Sequence, residues 1–172
     1  GEPVTIATSV GAWAANAGVG WFAASPRDTL AYFSGQSVTG QVQLAWVDRK
    51  GGQVGTIGAP GNYGQIALSP DERNVALEMP DAEGRYDLWV MDLARGVTSR
   101  VTSRAGGERD PVWSPDGRSL TFAAMRADKG VLRRKGLRAA DPETLLTETA
   151  DEDHPESWSR DGQTLLFVRR TE

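Results

Sequence analysis

The chain has few residues able to do chemistry. It carries one histidine, His154, directly after three acidic residues, Asp151-Glu152-Asp153. Imidazole beside carboxylates suits a transition metal, and an oxygen-rich loop suits calcium. Consecutive carboxylates rarely converge on one ion, and no EF-hand spacing is present. The cluster therefore reads as a solvated acidic loop rather than a metal centre, and no cofactor is expected. Any serine triad would need the same histidine. Gly35-Gln36-Ser37-Val38-Thr39-Gly40 is one residue too long for a nucleophile elbow. Gly58, Gly61 and Gly64 have neither phosphate-loop nor dinucleotide spacing and fit a glycine-rich hairpin connection. Cysteine is absent, which removes thiol catalysis and disulfides. No catalytic residue is assigned, and the chain is expected not to be an enzyme.

Asp71, Asp116 and Asp161 look like further candidates until their surroundings are compared. They sit in Ser69-Pro70-Asp71-Glu72, Ser114-Pro115-Asp116-Gly117 and Ser159-Arg160-Asp161-Gly162, whose serines stand 45 residues apart. A weaker copy, Ser25-Pro26-Arg27-Asp28, lies 44 residues upstream of Ser69. Proline presets the second position of a type I turn, aspartate suits the third and glycine the fourth. These aspartates therefore cap turns.

The elements around the turns are short and β-rich. Ile66-Ala67-Leu68, Pro111-Val112-Trp113 and Glu156-Ser157-Trp158 precede them; Asn74 to Leu77, Ser119 to Phe122 and Thr164 to Val168 follow. Strand, tight turn, strand is a hairpin, and no helical stripe runs for any useful length. Two further strands complete the period: Tyr86 to Leu93 with Val97 to Thr102, and Val42 to Asp48 with Gln53 to Ile57. The third copy keeps an outer strand, Glu143 to Thr147, but its third strand is degenerate, with Val131-Leu132-Arg133-Arg134-Lys135 where the others are apolar. Four strands per repeat is a propeller blade. The fold class is all-β: a partial or small β-propeller of four-stranded antiparallel blades, about three full and one incomplete. The chain 1–172 is read as one propeller segment. Its repeats fall at approximately 20–60, 61–105, 106–150 and 151–172, with 3–10 as an outer strand of an incomplete blade.

Trp113-Ser114-Pro115-Asp116-Gly117-Arg118-Ser119-Leu120-Thr121-Phe122, preceded by Asp87-Leu88-Trp89-Val90-Met91-Asp92, resembles the repeat of TolB-like six-bladed propellers, a WD40-like Pro-Asp repeat. The resemblance runs from about Trp21 onward. The stretch from Leu44 to Phe167 is also similar to propeller regions that follow the kinase domain of some bacterial serine/threonine kinases. The resemblance implies protein binding, with a partner segment entering at the central channel, and favours a periplasmic or extracytoplasmic setting. It also implies an alternative, because similar blades gate prolyl-oligopeptidase-like hydrolases whose catalytic domain is absent here. Arg160 in place of the turn proline and Glu72 in place of the turn glycine depart from the pattern.

In a propeller, the loops entering the innermost strands ring one channel mouth. Tyr63, Arg109, Asp110, Asp153 and His154 occupy those positions and are the candidate binding residues. The basic run Arg126 to Arg138 reads as a hairpin with exposed charges protecting a strand edge, in preference to a docking patch. Net charge is −4, with 23 acidic and 19 basic residues, so a nucleic-acid footprint is lacking. No apolar run approaches a membrane helix, and Val10 to Ala24 lacks the basic start of a signal segment. An incomplete ring leaves strand edges, so self-association through edge strands is expected alongside a protein or peptide partner.

Overall fold

The computed structural model describes the backbone of Phe22–Ala24 and Leu30–Ser34 together with residues 41–126, 129–138, 140–148 and 151–171. The expected outer strand at 3–10 and the turn copy at Ser25 lie outside the described residues. Regular structure among the described residues is all strand. The chain divides into two compact units, 1–63 and 64–172. In the first, β1 (Phe22–Ala24), β2 (Leu30–Ser34), β3 (Val42–Val47) and β4 (Gln53–Gly61) form an antiparallel sheet in chain order. Leu44, Ala45 and Val47 of β3 are fully buried.

The second unit holds three sheets. The first contains β5 (Ile66–Leu68), β6 (Asn74–Pro80), β7 (Tyr86–Asp92) and β8 (Val97–Arg100). The next contains β9 (Glu108–Trp113), β10 (Ser119–Arg126), β11 (Lys129–Gly136) and β12 (Glu143–Leu145). Each is an antiparallel meander in chain order, and β13 (Glu152–Trp158) pairs with β14 (Leu165–Arg170) as a hairpin. Ala76, Leu88, Val101, Trp113, Leu120, Phe122 and Ala124 form the core where the two larger sheets face each other. Burying one large apolar side chain of this kind stabilises by roughly 1.5–3 kcal/mol.

The turn chemistry repeats atom for atom. Each turn serine hydroxyl donates to the aspartate two residues on: Ser69 to Asp71 and Ser114 to Asp116 at 2.6 Å, and Ser159 to Asp161. The same oxygen accepts the amide five residues on, at 2.9–3.0 Å, from Asn74, Ser119 and Thr164. Those bonds hold the three carboxyls below the usual range, with the serine hydroxyl as the largest cause. The fourth position is left-handed in all three described copies, with φ of 62° at Glu72, 67° at Gly117 and 69° at Gly162. Only glycine takes that conformation without a Cβ penalty. Glu72→Gly is therefore expected to raise the urea-unfolding free energy by about 0.5–1 kcal/mol. An unchanged midpoint would show that the turn carries no strain.

Successive sheets are stitched by tryptophan. The Trp113 indole donates to the Ala67 carbonyl of β5 at 2.9 Å, and the Trp158 indole donates to the Thr121 hydroxyl of β10 at 3.0 Å. Trp89 does not share this arrangement: its indole N–H has no partner among the described residues and Arg100 stands 5.9 Å from its ring centre. The outer strands end earlier than expected, at Arg100 and Leu145, for one reason. There the amides of Leu88 and Leu132 donate to the hydroxyls of Thr102 and Thr147, at 2.9 and 3.0 Å, while their carbonyls accept the amides of 101–102 and 146–147, which departs from the regular ladder.

The basic run is not an exposed edge. Its central part is β11, an interior strand in continuous register with β10 from Ser119↔Gly136 to Arg126↔Lys129, and β12 lies outside it. The strand tolerates its central charges because Arg133, Arg134 and Lys135 each meet a partner. Arg133 pairs with Glu143 at 3.0 Å, and the buried Lys135 ammonium donates to the carbonyls of Arg138 and Asp141 at 3.2 and 2.7 Å. Aliphatic stems pack while the heads find oxygen.

Candidate functional site at the start of the inner strands

Two inner strands of the second unit, β9 and β13, carry bulges. Between the pairs Arg109↔Ala123 and Val112↔Thr121, both Asp110 and Pro111 face Phe122 alone. In β13 the extra residue is Glu156, between Pro155↔Phe167 and Ser157↔Leu166. Proline lacks an N–H, so a strand accepts it where the ladder is interrupted. Asp110, inside the β9 bulge at φ 57°, leaves the regular pleat, whereas His154 keeps its register opposite Val168 just before the β13 bulge.

Those two side chains meet. His154 Nδ1 lies 2.6 Å from Asp110 Oδ2, joining the start of β13 to the start of β9. Glu152 Oε1 sits 2.9 Å from His154 Nε2, an ion-pair contact without hydrogen-bond alignment. The Asp110 hydrogen bond raises the imidazole pKa above its ordinary value, and burial opposes it. Beneath them, the Asp110 amide donates to Glu78 Oε1 at 2.6 Å. Burial, then the Asp110 charge, lifts Glu78 to about 7. Glycine is needed at position 64, where a Cβ would stand 2.4 Å from Glu78 Oε2 and 3.1 Å from the Tyr86 ring. The exposed Arg109 guanidinium lies 4.6 Å from the centre of the Tyr86 ring.

The candidate residues fall into different environments. Arg109, Asp110 and His154 share one patch. Asp153 is fully buried beside it, gripped by Arg169 Nε and Nη2 at 2.7 and 2.9 Å, and this cation holds its carboxyl below the usual range. Tyr63 belongs to the first unit, where it is buried and its hydroxyl donates to the Ala59 carbonyl at 2.7 Å. The expected solvated acidic loop is corrected: 152–154 open β13, and cross-strand partners Arg170 and Arg169 face Glu152 and Asp153. The glycine-rich segment is corrected as well, since Gly58 and Gly61 belong to β4 and Gly64 follows that strand. Glu78, Tyr86 and Glu152 were not assigned from sequence. A signal for Glu78 existed: it shares the inward parity of Ala76 on β6. Among the described residues, no group of three His, Cys, Asp or Glu side chains is placed to hold a metal ion.

Hairpins joined by serine–proline–aspartate turns, in stacked four-stranded meanders, define a β-propeller. The chain belongs to the TolB beta propeller domain family, whose model matches residues 23–172. Over 44 residues, 26% of this chain and 10% of the relative, it is 41% identical to a protein TolB homolog of Chlorobium chlorochromatii (strain CaD3). A TolB structure from Agrobacterium tumefaciens superposes with TM-score 0.71 at 23% identity, covering 85% of this chain and 52% of that one. A prolyl endopeptidase structure superposes with TM-score 0.61 at 21% identity, covering 83% and 24%. The chain thus spans about half of the first structure and a smaller share of the other two relatives. At these identities the structural likeness speaks for the fold.

Proposed function

We propose that this propeller segment is a non-enzymatic binding module that takes a protein or peptide segment where its inner strands begin. The observation carrying this reading is the His154–Asp110 bridge beside the exposed Arg109. Both imidazole nitrogens face carboxylates, so the ring fixes the spacing of two strands while Arg109 and the rim of Asp110 stay open for recognition. Asp153 acts from behind by holding Arg169. A displayed random-peptide library, selected on the protein and counter-selected on an R109A/D110N variant, tests the reading. Peptides that hold the parent and lose the variant support it. Recovery of the same peptides on both overturns it.

Self-assembly belongs to the same proposal. The outer edge of β14 has no ladder partner among the described residues, and Leu166 and Val168 are 67% and 46% exposed. Unpaired edges recruit strands. A discrete dimer by light scattering supports this, and a monomer at all concentrations overturns it. The likeness to a prolyl endopeptidase supports a second reading, the gating propeller of a hydrolase. A hydrolase domain in the same polypeptide would favour it.

A further inference from the structure

At the opposite ends of the same strands, two departures from the repeat converge on one groove. It measures about 390 Å³ and is lined by Pro115, Asp116, Arg134, Trp158, Arg160 and Asp161, among others. The preceding repeat has Pro115 where this one has Arg160, 45 residues on. By ladder position it has Val90 where this one has Arg134, since Ala76↔Val90 corresponds to Thr121↔Arg134. Val90 packs against the apolar cluster that contains Trp113. Arg134 instead lies 5.6 Å from the ring centre of Trp158, the counterpart of Trp113. One groove has therefore exchanged an aliphatic residue and a proline for two guanidinium groups.

The cations are placed differently. The Arg134 Nε donates to Ser119 Oγ at 2.8 Å, which together with the indole face fixes the plane of the guanidinium. Its terminal nitrogens make no hydrogen bond or ion pair among the described residues, and neither does the exposed Arg160. A fixed guanidinium with free terminal N–H groups matches a carboxylate. Asp116 and Asp161 are ionised in the same groove, each with Oδ1 held by its own turn. Their other oxygens can accept backbone N–H groups. The groove is amphoteric, aromatic on one wall, and of a size that takes a few residues of chain.

We propose that this groove binds an extended acidic peptide segment, a carboxylate reaching Arg134 and Arg160 while backbone amides face Asp116 and Asp161. It is a second site, independent of the one at the start of the inner strands. The test titrates the protein with capped tetraglutamate, capped tetraglutamine and inorganic phosphate, following the Trp158 indole N–H by NMR. Tetraglutamate is expected to shift that resonance and tetraglutamine to leave it. R134V and R160P, which restore the preceding repeat's residues, are each expected to weaken binding about tenfold or more. Thermal midpoints of the variants establish that they are folded; Arg160 tips an exposed turn, so R160P carries the test should R134V unfold. R109A is expected to leave this binding unchanged, which separates the groove from the other site. Equal shifts with tetraglutamine, equal displacement by phosphate, no response at millimolar peptide, or full binding by R160P would each overturn the proposal.

Discussion

Moved from about pH 5 to about pH 8, the protein is expected to lose stability, on the order of a few kcal/mol, where many proteins lose little. Three groups in the second unit hold protons unusually tightly. Burial lifts Glu78 to about 7, and burial together with Asp87 and Glu143 lifts Glu108 to about 7. His154 is raised by Asp110. A buried acid with a raised pKa binds its proton in the folded state while the unfolded chain has released it. Stability then falls as pH rises from the ordinary glutamate value, near 4.5, to about 7. The contribution of His154 is fully present below its unfolded value, 6.5, and is lost as pH rises through the raised folded value. All three signs agree. Urea unfolding at both pH values measures the sum, and Glu108→Gln isolates one part, because the Glu108 carboxyl is fully buried beside the Asp87 and Glu143 carboxylates. That variant is expected to gain stability at high pH and to change little at low pH. A flat profile, or a gain that ignores pH, would show that Glu108 carries no such proton.

Phe122→Ala is expected to cost about 3–5 kcal/mol. The ring is fully buried in the core between the larger sheets, with sheet on both sides limiting collapse of the cavity. It also faces the Asp110-Pro111 bulge alone, so its removal loosens the backbone that presents Asp110 to His154 and Glu78. Unfolding free energy measures the first effect, and the His154 ring resonances, the only histidine signals of the chain, report the second. A cost below about 1 kcal/mol would mean that the core repacks around the loss.

What could be read from the sequence was local. Serine, proline and aspartate at fixed offsets determine their own turn, so the hairpins follow from four-residue words and the fold class from their period. The inner-strand patch was half legible, because Asp110 and His154 each precede a proline, 44 residues apart. Glu78 lies 32 residues from Asp110 and reaches its amide only through the packing of β6 against β9, which no short pattern encodes. The acidic run misled because counting charges along the chain ignores the opposing strand: Arg169 and Arg170 stand directly across from Asp153 and Glu152. The basic run misled for a different reason, since Lys135 finds backbone carbonyls just beyond the end of its own strand.

Successive turns also touch. A Cβ at Gly117 would sit 3.8 Å from Pro70 Cδ, and one at Gly162 would sit 3.7 Å from Pro115 Cδ, so the last residue of these two turns rests on the proline of the turn before. The two described joints are alike, which makes the whole repeat the natural unit of gain or loss. Duplicating or deleting one complete copy preserves every joint, whereas inserting a few residues inside a copy shifts a turn off its neighbour. Arg160 is where this rule changes, since a turn resting on the last copy would meet an arginine in place of a proline ring.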